Sequence, residues 1–191
     1  MPFRFSPLIA LLCLSTAVFA QSETPKLYEV YGGYTLLSNS FNGVPGSTQP
    51  LNGWDASLAI PPLYGVRFKL ETFGYRGTNT GAPQDALFIL AGGQFDKKFG
   101  RETAFVEGLA GNGSMNKNWG PNGVRGEQDA FAAYMGGGLD TPITRRLAFR
   151  VDGGYQHTSF QVIGATTLME VYVPGLPHSF ARIASGLVWK F

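Results

Sequence analysis

The chain has 191 residues, of which 44% are hydrophobic, 14% are aromatic and only 15% are charged, and its formal net charge is +2. An ordinary soluble surface needs more charge, because Asp, Glu, Lys and Arg usually make up about a quarter of a domain. Since mean hydropathy is close to zero and the net charge is small, the composition favours neither a bundle of membrane helices nor a nucleic-acid-binding protein.

The amino terminus predicts export from the cytoplasm. Arg4 precedes an apolar run at residues 8–14, and Ala20 supplies a small residue before the expected cleavage site. We therefore expect a signal peptide over residues 1–20. The chain has one cysteine, Cys13, and it falls within this segment. The mature protein is therefore expected to have no disulfide and no cysteine metal ligand.

Alternation of side-chain character with a period of two predicts eight β-strands in the mature chain. In order, they cover residues 27–37, 51–60, 63–75, 86–96, 102–112, 129–140, 146–158 and 180–191. Lengths of about ten residues suit tilted strands that cross a membrane. The alternation assigns an inward and an outward face to every strand except the fourth.

The predicted connections alternate in length. Those after the first, third, fifth and seventh strands are long, with polar segments such as 76–85 and 113–128, whereas the other three are short. Transmembrane barrels combine long extracellular loops with short periplasmic turns. A first strand that starts in the periplasm would place every long connection outside the cell.

The last predicted strand carries a terminal motif. It ends in Phe191, with a second aromatic residue at Trp189 and a glycine at Gly186. This pattern resembles the assembly signal of bacterial outer-membrane barrels. With Tyr-Glu-Val-Tyr-Gly-Gly-Tyr at 28–34 and Leu-Asn-Gly-Trp-Asp-Ala at 51–56, it makes the mature chain resemble the small eight-stranded barrels of the OmpA/OmpX type.

The resemblance implies one all-β domain over residues 21–191, a transmembrane eight-stranded antiparallel up-and-down barrel that follows the signal peptide. It also implies a monomer in the outer membrane that contacts outer-membrane lipid, lipopolysaccharide and the barrel assembly machinery, and that needs no cofactor or metal. The expected function is a non-enzymatic scaffold whose surface loops serve envelope integrity, adhesion or surface interaction. A narrow, low-conductance pore is the alternative.

Charged residues on the predicted inward faces could fill such a barrel, because eight strands leave room for little more than side chains. Five are acidic and five are basic, so we expect a paired, nearly neutral network and no continuous aqueous pore. The ten residues are Glu29, Asp55, Arg67, Lys69, Glu71, Glu107, Arg150, Asp152, Arg182 and Lys190.

One set of residues could instead indicate an enzyme. His157, Ser159 and Glu170 are similar to the catalytic triad of outer-membrane lipid A deacylases, and neighbouring positions on a strand would let the imidazole activate the hydroxyl. Those enzymes typically follow the serine with asparagine, whereas Phe160 and Gln161 stand here. Since no oxyanion donor can be identified either, a chance arrangement is the better interpretation.

Overall fold

A computed structural model describes residues 27–38, 50–79, 82–119, 124–159, 163–166, 169–172 and 179–191. At 77–79, 82–84, 116–119, 124–128, 163–166 and 169–172 only the backbone is described. The expected signal peptide at residues 1–20 lies outside these ranges. No helix in the described ranges is long and apolar enough to cross a membrane.

The described part of the chain forms ten β-strands. Eight of them close into a single antiparallel barrel in which neighbours in sequence are neighbours in space and the last strand pairs with the first. The barrel strands are β1 (Glu29–Leu37), β2 (Leu51–Ala59), β3 (Val66–Asn79), β4 (Ala82–Phe99), β5 (Glu102–Trp119), β6 (Val124–Pro142), β7 (Leu147–Thr158) and β10 (Ser179–Lys190). The remaining two, β8 (Ile163–Thr166) and β9 (Met169–Tyr172), form a separate hairpin. The prediction of an all-β, eight-stranded up-and-down barrel is confirmed.

Hydrogen-bonded neighbours spiral around the barrel, because closing a sheet requires tilted and staggered strands. A path that starts at Phe149 on β7 returns to Ser159, the residue that follows the last residue of the same strand. It passes through Leu187, Gly32, Ala56, Thr72, Ile89, Asn112 and Phe131. Every barrel strand is thereby paired on both sides over this path, which satisfies the backbone without water.

The outer surface of the barrel is apolar. Aliphatic side chains project outward along the strands, and they are between 39% and 62% exposed at Val30, Leu36, Leu58, Leu70, Ile89, Val106, Val151, Ile183 and Leu187. Aromatic side chains also point outward, namely Tyr28, Tyr34, Trp54, Phe68, Tyr155, Trp189 and Phe191. An outward apolar surface with aromatic residues is typical of barrels that face lipid.

One side of the barrel is taller than the other. Strands β3, β4, β5 and β6 have 14, 18, 18 and 19 residues, whereas β1, β2, β7 and β10 have 9, 9, 12 and 12. The polar loops predicted at 76–85 and 113–128 are therefore wrong. The described residues of both segments continue the ladder, as in the pairs Asn79↔Ala82 and Trp119↔Val124. Cross-strand pairing has overridden the turn-forming composition.

The opposite end of the barrel carries short turns and both ends of the described chain. In the connection between β2 and β3, Tyr64 and Gly65 have φ of 53° and 84°. Two consecutive positive values are those of a type I′ turn. The third predicted strand therefore begins at Val66 and not at residue 63. We call this the short-turn end and the opposite one, where β3–β6 project, the raised end.

Candidate functional site: the barrel interior and its closing seam

An apolar layer fills the interior towards the raised end. At its centre the rings of Phe73 and Phe88 stack with centroids 4.9 Å apart, and Tyr75 meets Phe88 edge-on at 6.0 Å. Hydrophobic constrictions of this kind exclude water and ions. The layer consists of Leu37, Leu51, Phe73, Tyr75, Ala86, Phe88, Leu90, Leu109, Met115, Ala130, Ala132, Tyr134 and Phe180.

A charged cluster occupies the interior at the short-turn end. The Glu29 carboxylate lies between Arg67 Nη2 at 3.4 Å, Arg150 Nη2 at 3.3 Å and Lys190 Nζ at 3.1 Å. Arg150 also donates two hydrogen bonds to Asp140, from Nε at 2.6 Å and from Nη2 at 2.9 Å. Such bidentate pairs fix the geometry of a guanidinium. The cluster joins β1, β3, β6, β7 and β10 across the lumen.

Arg67 extends this cluster to β4 and to the start of the described chain. Its Nε lies 2.5 Å from Asp96 Oδ2, and its Nη1 donates to the carbonyl oxygen of Leu27 at 2.8 Å. Gln94 Nε2 donates to the other oxygen of Asp96 at 2.6 Å. Both oxygens of this carboxylate are therefore satisfied, as a buried charge requires.

A second charged cluster lies between the first one and the apolar layer. Arg182 forms ion pairs with Asp55 and, at 2.5 Å, with Glu71. Lys69 forms ion pairs with Glu71 and, at 2.8 Å, with Glu107. Glu71 is thus shared by both cations. All five side chains are almost fully buried, so each charge depends on the others for stabilisation.

The Arg182 guanidinium is held by more than its ion pairs. It lies 4.3 Å from the ring centroid of Phe73 and 4.5 Å from that of Tyr134, which are cation–π distances. Its Nε donates to Thr35 Oγ1 at 3.3 Å. Arg182 therefore connects the charged interior to the apolar layer.

The structure places all ten predicted inward charges inside the barrel. Nine are at most 4% exposed, and the side chain of Lys190 is 18% exposed. The expected charge balance is wrong, because Asp96 and Asp140 also point inward. Seven carboxyl groups therefore accompany five cations in the described interior. Asp140 could have been found by extending the alternation of β6. Asp96 lies on β4, the strand to which the sequence assigned no inward or outward face.

Asp152 stands apart from the other interior carboxyl groups. It is 4% exposed and accepts a hydrogen bond from the Tyr134 hydroxyl at 3.3 Å. Among the described cations, none comes within ion-pair distance of it. Asp152 is therefore the interior carboxyl group that lies outside the ion-paired clusters.

Two tyrosines pack against pairs of glycines on the inner wall. Tyr31 covers Gly33 and Gly186, which face each other across the seam between β1 and β10. A Cβ atom built on Gly186 would overlap the carbonyl oxygen of Gly32 and approach Tyr31 Cε2 to 2.8 Å. The seam that closes the barrel therefore leaves no room for a side chain at this position.

Tyr134 packs in the same way against the pair Gly136↔Gly154 of β6 and β7. The glycines make room for the two large tyrosine rings, which can then lie flat against the strands of a narrow barrel. This packing gives a physical reason for part of the high glycine content, 26 residues in the chain.

The residues of the predicted assembly signal have different environments. Gly186 lies inside the seam, whereas Trp189 and Phe191 point outward and are 50% and 54% exposed. Phe191 extends the β1–β10 ladder through two backbone hydrogen bonds with Tyr28, of 3.0 and 3.1 Å, and their rings stack at 5.9 Å. An assembly role for the three residues stays a prediction.

We expect deletion of Phe191 to reduce insertion more than the stability of protein that has already folded. The deletion removes two ladder hydrogen bonds, worth about 1–3 kcal/mol together, but it also removes the terminal aromatic residue of the predicted signal. Immunoblots of outer-membrane fractions would measure insertion, and urea unfolding of refolded protein would measure stability. Equal outer-membrane levels of the two proteins would contradict the prediction.

The candidate catalytic residues are not joined in the described structure. Ser159 donates its hydroxyl to the carbonyl oxygen of Phe131 at 3.2 Å and not to His157, whose Nδ1 lies 3.1 Å from Ser179 Oγ. The side chain of Glu170 lies outside the described residues. Within the described ranges, no group of His, Asp or Glu side chains has the arrangement of a metal site.

No protein-family model matches the chain, and no curated protein matches it in sequence. Solved structures with the same architecture are found instead. Neisserial surface protein A has a TM-score of 0.60 and 13% identity over 87% of this chain and 97% of its own. Ail, the attachment invasion locus protein of Yersinia pestis, has a TM-score of 0.56 and 13% identity over 88% of this chain and 100% of its own.

The N-terminal β-barrel domain of Pseudomonas aeruginosa OprF is also similar, with a TM-score of 0.53 and 13% identity over 87% of this chain and 98% of that domain. At these identities the likeness concerns the fold. The chain has the fold of the small eight-stranded outer-membrane β-barrels, so the resemblance inferred from the sequence is confirmed at that level.

Proposed function

We propose that the protein is a non-enzymatic, integral outer-membrane scaffold that is exported by its signal peptide and interacts with other molecules through its raised end. The apolar outer surface and the likeness to outer-membrane barrels support the location. A first strand that starts in the periplasm puts the short-turn end there and the raised end outside the cell. The observation that carries the proposal is the tall sheet of β3–β6 standing on a filled barrel.

The filled interior favours a scaffold over a pore. An ion would have to cross the apolar layer around Phe73 and Phe88 as well as the ion-paired layer around Glu71, and neither layer offers it hydration. We expect purified protein in planar bilayers to show no steady openings at moderate voltage. The variant Phe88→Gly removes a ring from the centre of the apolar layer, and we expect it to conduct more than the unaltered protein. Large, steady openings of the unaltered protein would establish the pore alternative.

The raised sheet offers a surface for contact. Pairing of β6 with β7 ends at Ala132↔Thr158 and at the hydrogen bond between Ser159 and Phe131, while β6 itself begins at Val124. Within the described residues, the backbone of 124–130 therefore has strand β5 on one side only. An open edge of this kind can accept an extended segment of another protein. Adhesion or surface attachment by strand addition is the role that this edge supports.

Shortening the raised sheet should abolish attachment without unfolding the barrel. Replacing residues 117–126 with Asn-Gly keeps the pair Asn116↔Glu127 and supplies a favourable two-residue hairpin turn. We expect attachment of cells to surfaces to fall to background. The measurement is adhesion of cells that carry equal amounts of barrel in the outer membrane.

A matched control shortens the neighbouring hairpin instead. Replacing residues 78–83 with Asn-Gly keeps the pair Gly77↔Gln84 and leaves the β6 edge intact. Attachment should survive this change. Heat-modifiable migration on gels would show that both variants are closed barrels, and undiminished attachment of the first variant would refute a role for the outer part of the β6 edge, residues 124–126.

A further inference from the structure

Among the described residues, the exposed cations of the short-turn end are concentrated on one side of the barrel. Five exposed cations lie at the end of β4, in the β4–β5 turn and in the β6–β7 turn. We call them the cationic rim: Lys97, Lys98, Arg101, Arg145 and Arg146. Glu102 is the exposed carboxylate within the same stretch, so the rim has a clear excess of positive charge.

Strand pairing brings the two turns of the rim together. The β4–β5 turn closes at Phe99↔Glu102, and the next residue along β5, Thr103, pairs with Asp140 near the end of β6. The β6–β7 turn begins directly after Pro142. The turns are therefore neighbours, and their cations form one continuous arc.

Four of the five rim charges are available for a ligand. Described carboxylates form no ion pair with four of its members, Lys98, Arg101, Arg145 and Arg146. The nearby interior acids are engaged elsewhere, Asp96 with Arg67 and Asp140 with Arg150. Lys97 has its ammonium group 5.2 Å above the ring of Phe99.

The rim lies where the apolar outer surface ends. Phe95, Phe99, Ile143 and Phe149 project outward beside it and are 55%, 56%, 56% and 43% exposed. In a membrane these side chains would contact acyl chains and the interface, so the cations just beyond them would lie at the depth of the lipid headgroups. Soluble ligands of the periplasm would not need this apolar border.

The other side of the same end has a different character. The turn from β2 to β3 holds no charged residue between Ile60 and Gly65, and its tip residues Leu63 and Tyr64 are 70% and 93% exposed. This turn offers contact with the interface but no attraction for an anion. The contrast assigns anion binding to the β4–β7 side alone.

We infer that the cationic rim binds phospholipids with acidic headgroups in the leaflet that surrounds the short-turn end. Guanidinium groups donate paired hydrogen bonds to phosphate oxygens, and the lysines add charge. Acyl chains would lie against the apolar side chains next to the rim. The inference rests on the proposed membrane location, and it adds a lipid class and a position on the barrel.

The test measures which lipids stay bound to the folded protein after it is released from vesicles. The vesicles contain phosphatidylcholine and a minor share of phosphatidylglycerol, and the bound lipids are compared with this composition. Native mass spectrometry should find phosphatidylglycerol enriched about fivefold over its share of the vesicle. The variant Arg101→Gln, Arg145→Gln, Arg146→Gln should return the bound lipid to the vesicle composition. An equal enrichment in this variant would overturn the inference.

A matched control removes three cations from the raised end, with Arg76→Gln, Lys117→Gln and Arg125→Gln. This control has the same net charge as the rim variant and should keep the enrichment of phosphatidylglycerol. Loss of the enrichment in the control would overturn the assignment to the rim. Adducts that persist in excess inorganic phosphate support a lipid site, whereas their replacement by phosphate would overturn it. Failure to insert into vesicles, seen as absent heat-modifiable migration, would instead count against the proposed function.

Discussion

Replacing Arg182 with methionine should destabilise the folded barrel by about 3–5 kcal/mol, the cost of leaving buried partners without their counter-charge. Asp55 and Glu71 both pair with this guanidinium, and both are at most 2% exposed. Methionine keeps much of the side-chain length but offers no donor. Urea unfolding of protein refolded in vesicles, followed by tryptophan fluorescence, would measure the loss.

Two further variants separate the charge effect from a packing effect. Asp152→Asn keeps the shape of an interior acid that lies outside the ion-paired clusters, and it should change stability by about 1 kcal/mol or less. Adding Asp55→Asn and Glu71→Gln to Arg182→Met removes the excess negative charge and leaves Lys69 paired with Glu107, so it should restore much of the stability. If Arg182→Met is as well tolerated as Asp152→Asn, the network is not what holds the interior together.

The sequence predicted the faces of the strands wherever the interior is polar. On β3 the alternation of Arg67, Lys69 and Glu71 with apolar residues distinguishes lumen from lipid. On β4 it fails, because Phe88 and Leu90 point into the apolar layer while Leu87 and Ile89 point outward. A strand with both faces apolar has no period-two signal. The apolar layer itself was therefore hidden from sequence analysis.

Strand ends were the least predictable part of the fold. Residues 113–128 are rich in Gly and Asn, a composition that favours turns, yet they form paired strands up to Trp119↔Val124. The composition of one segment does not predict whether that segment pairs with a neighbouring strand. The error concealed the raised sheet, which is the feature that now supports a role in attachment.

The sequence also could not show which charges pair. Arg182 and Asp55 are far apart in the chain, and they meet because β10 and β2 both flank β1. Such a pairing depends on the register of three strands. Alternation predicts that a side chain points inward, but only the closed barrel determines its partner.

Replacing Gly186 with valine should prevent closure of the barrel and lower the folded fraction by about tenfold or more, since overpacking at a backbone contact cannot relax easily. The new side chain would overlap the backbone of Gly32 and Gly33 and meet the ring of Tyr31. Because β1 and β10 form the last seam, a clash here opens the whole sheet and exposes two unpaired edges. The fraction of heat-modifiable protein after refolding measures the effect.

Gly32→Val is the matched control, because Gly32 lies in the same seam but faces outward, with no atom within 4 Å of a Cβ placed there. The added side chain would join the apolar outer surface and should leave the folded fraction unchanged or slightly higher. A further variant, Tyr31→Ala with Gly186→Val, removes the ring but not the backbone overlap, and it should recover only part of the loss. Equal folding of Gly186→Val and Gly32→Val would mean that the seam tolerates a side chain at Gly186, and it would contradict the prediction.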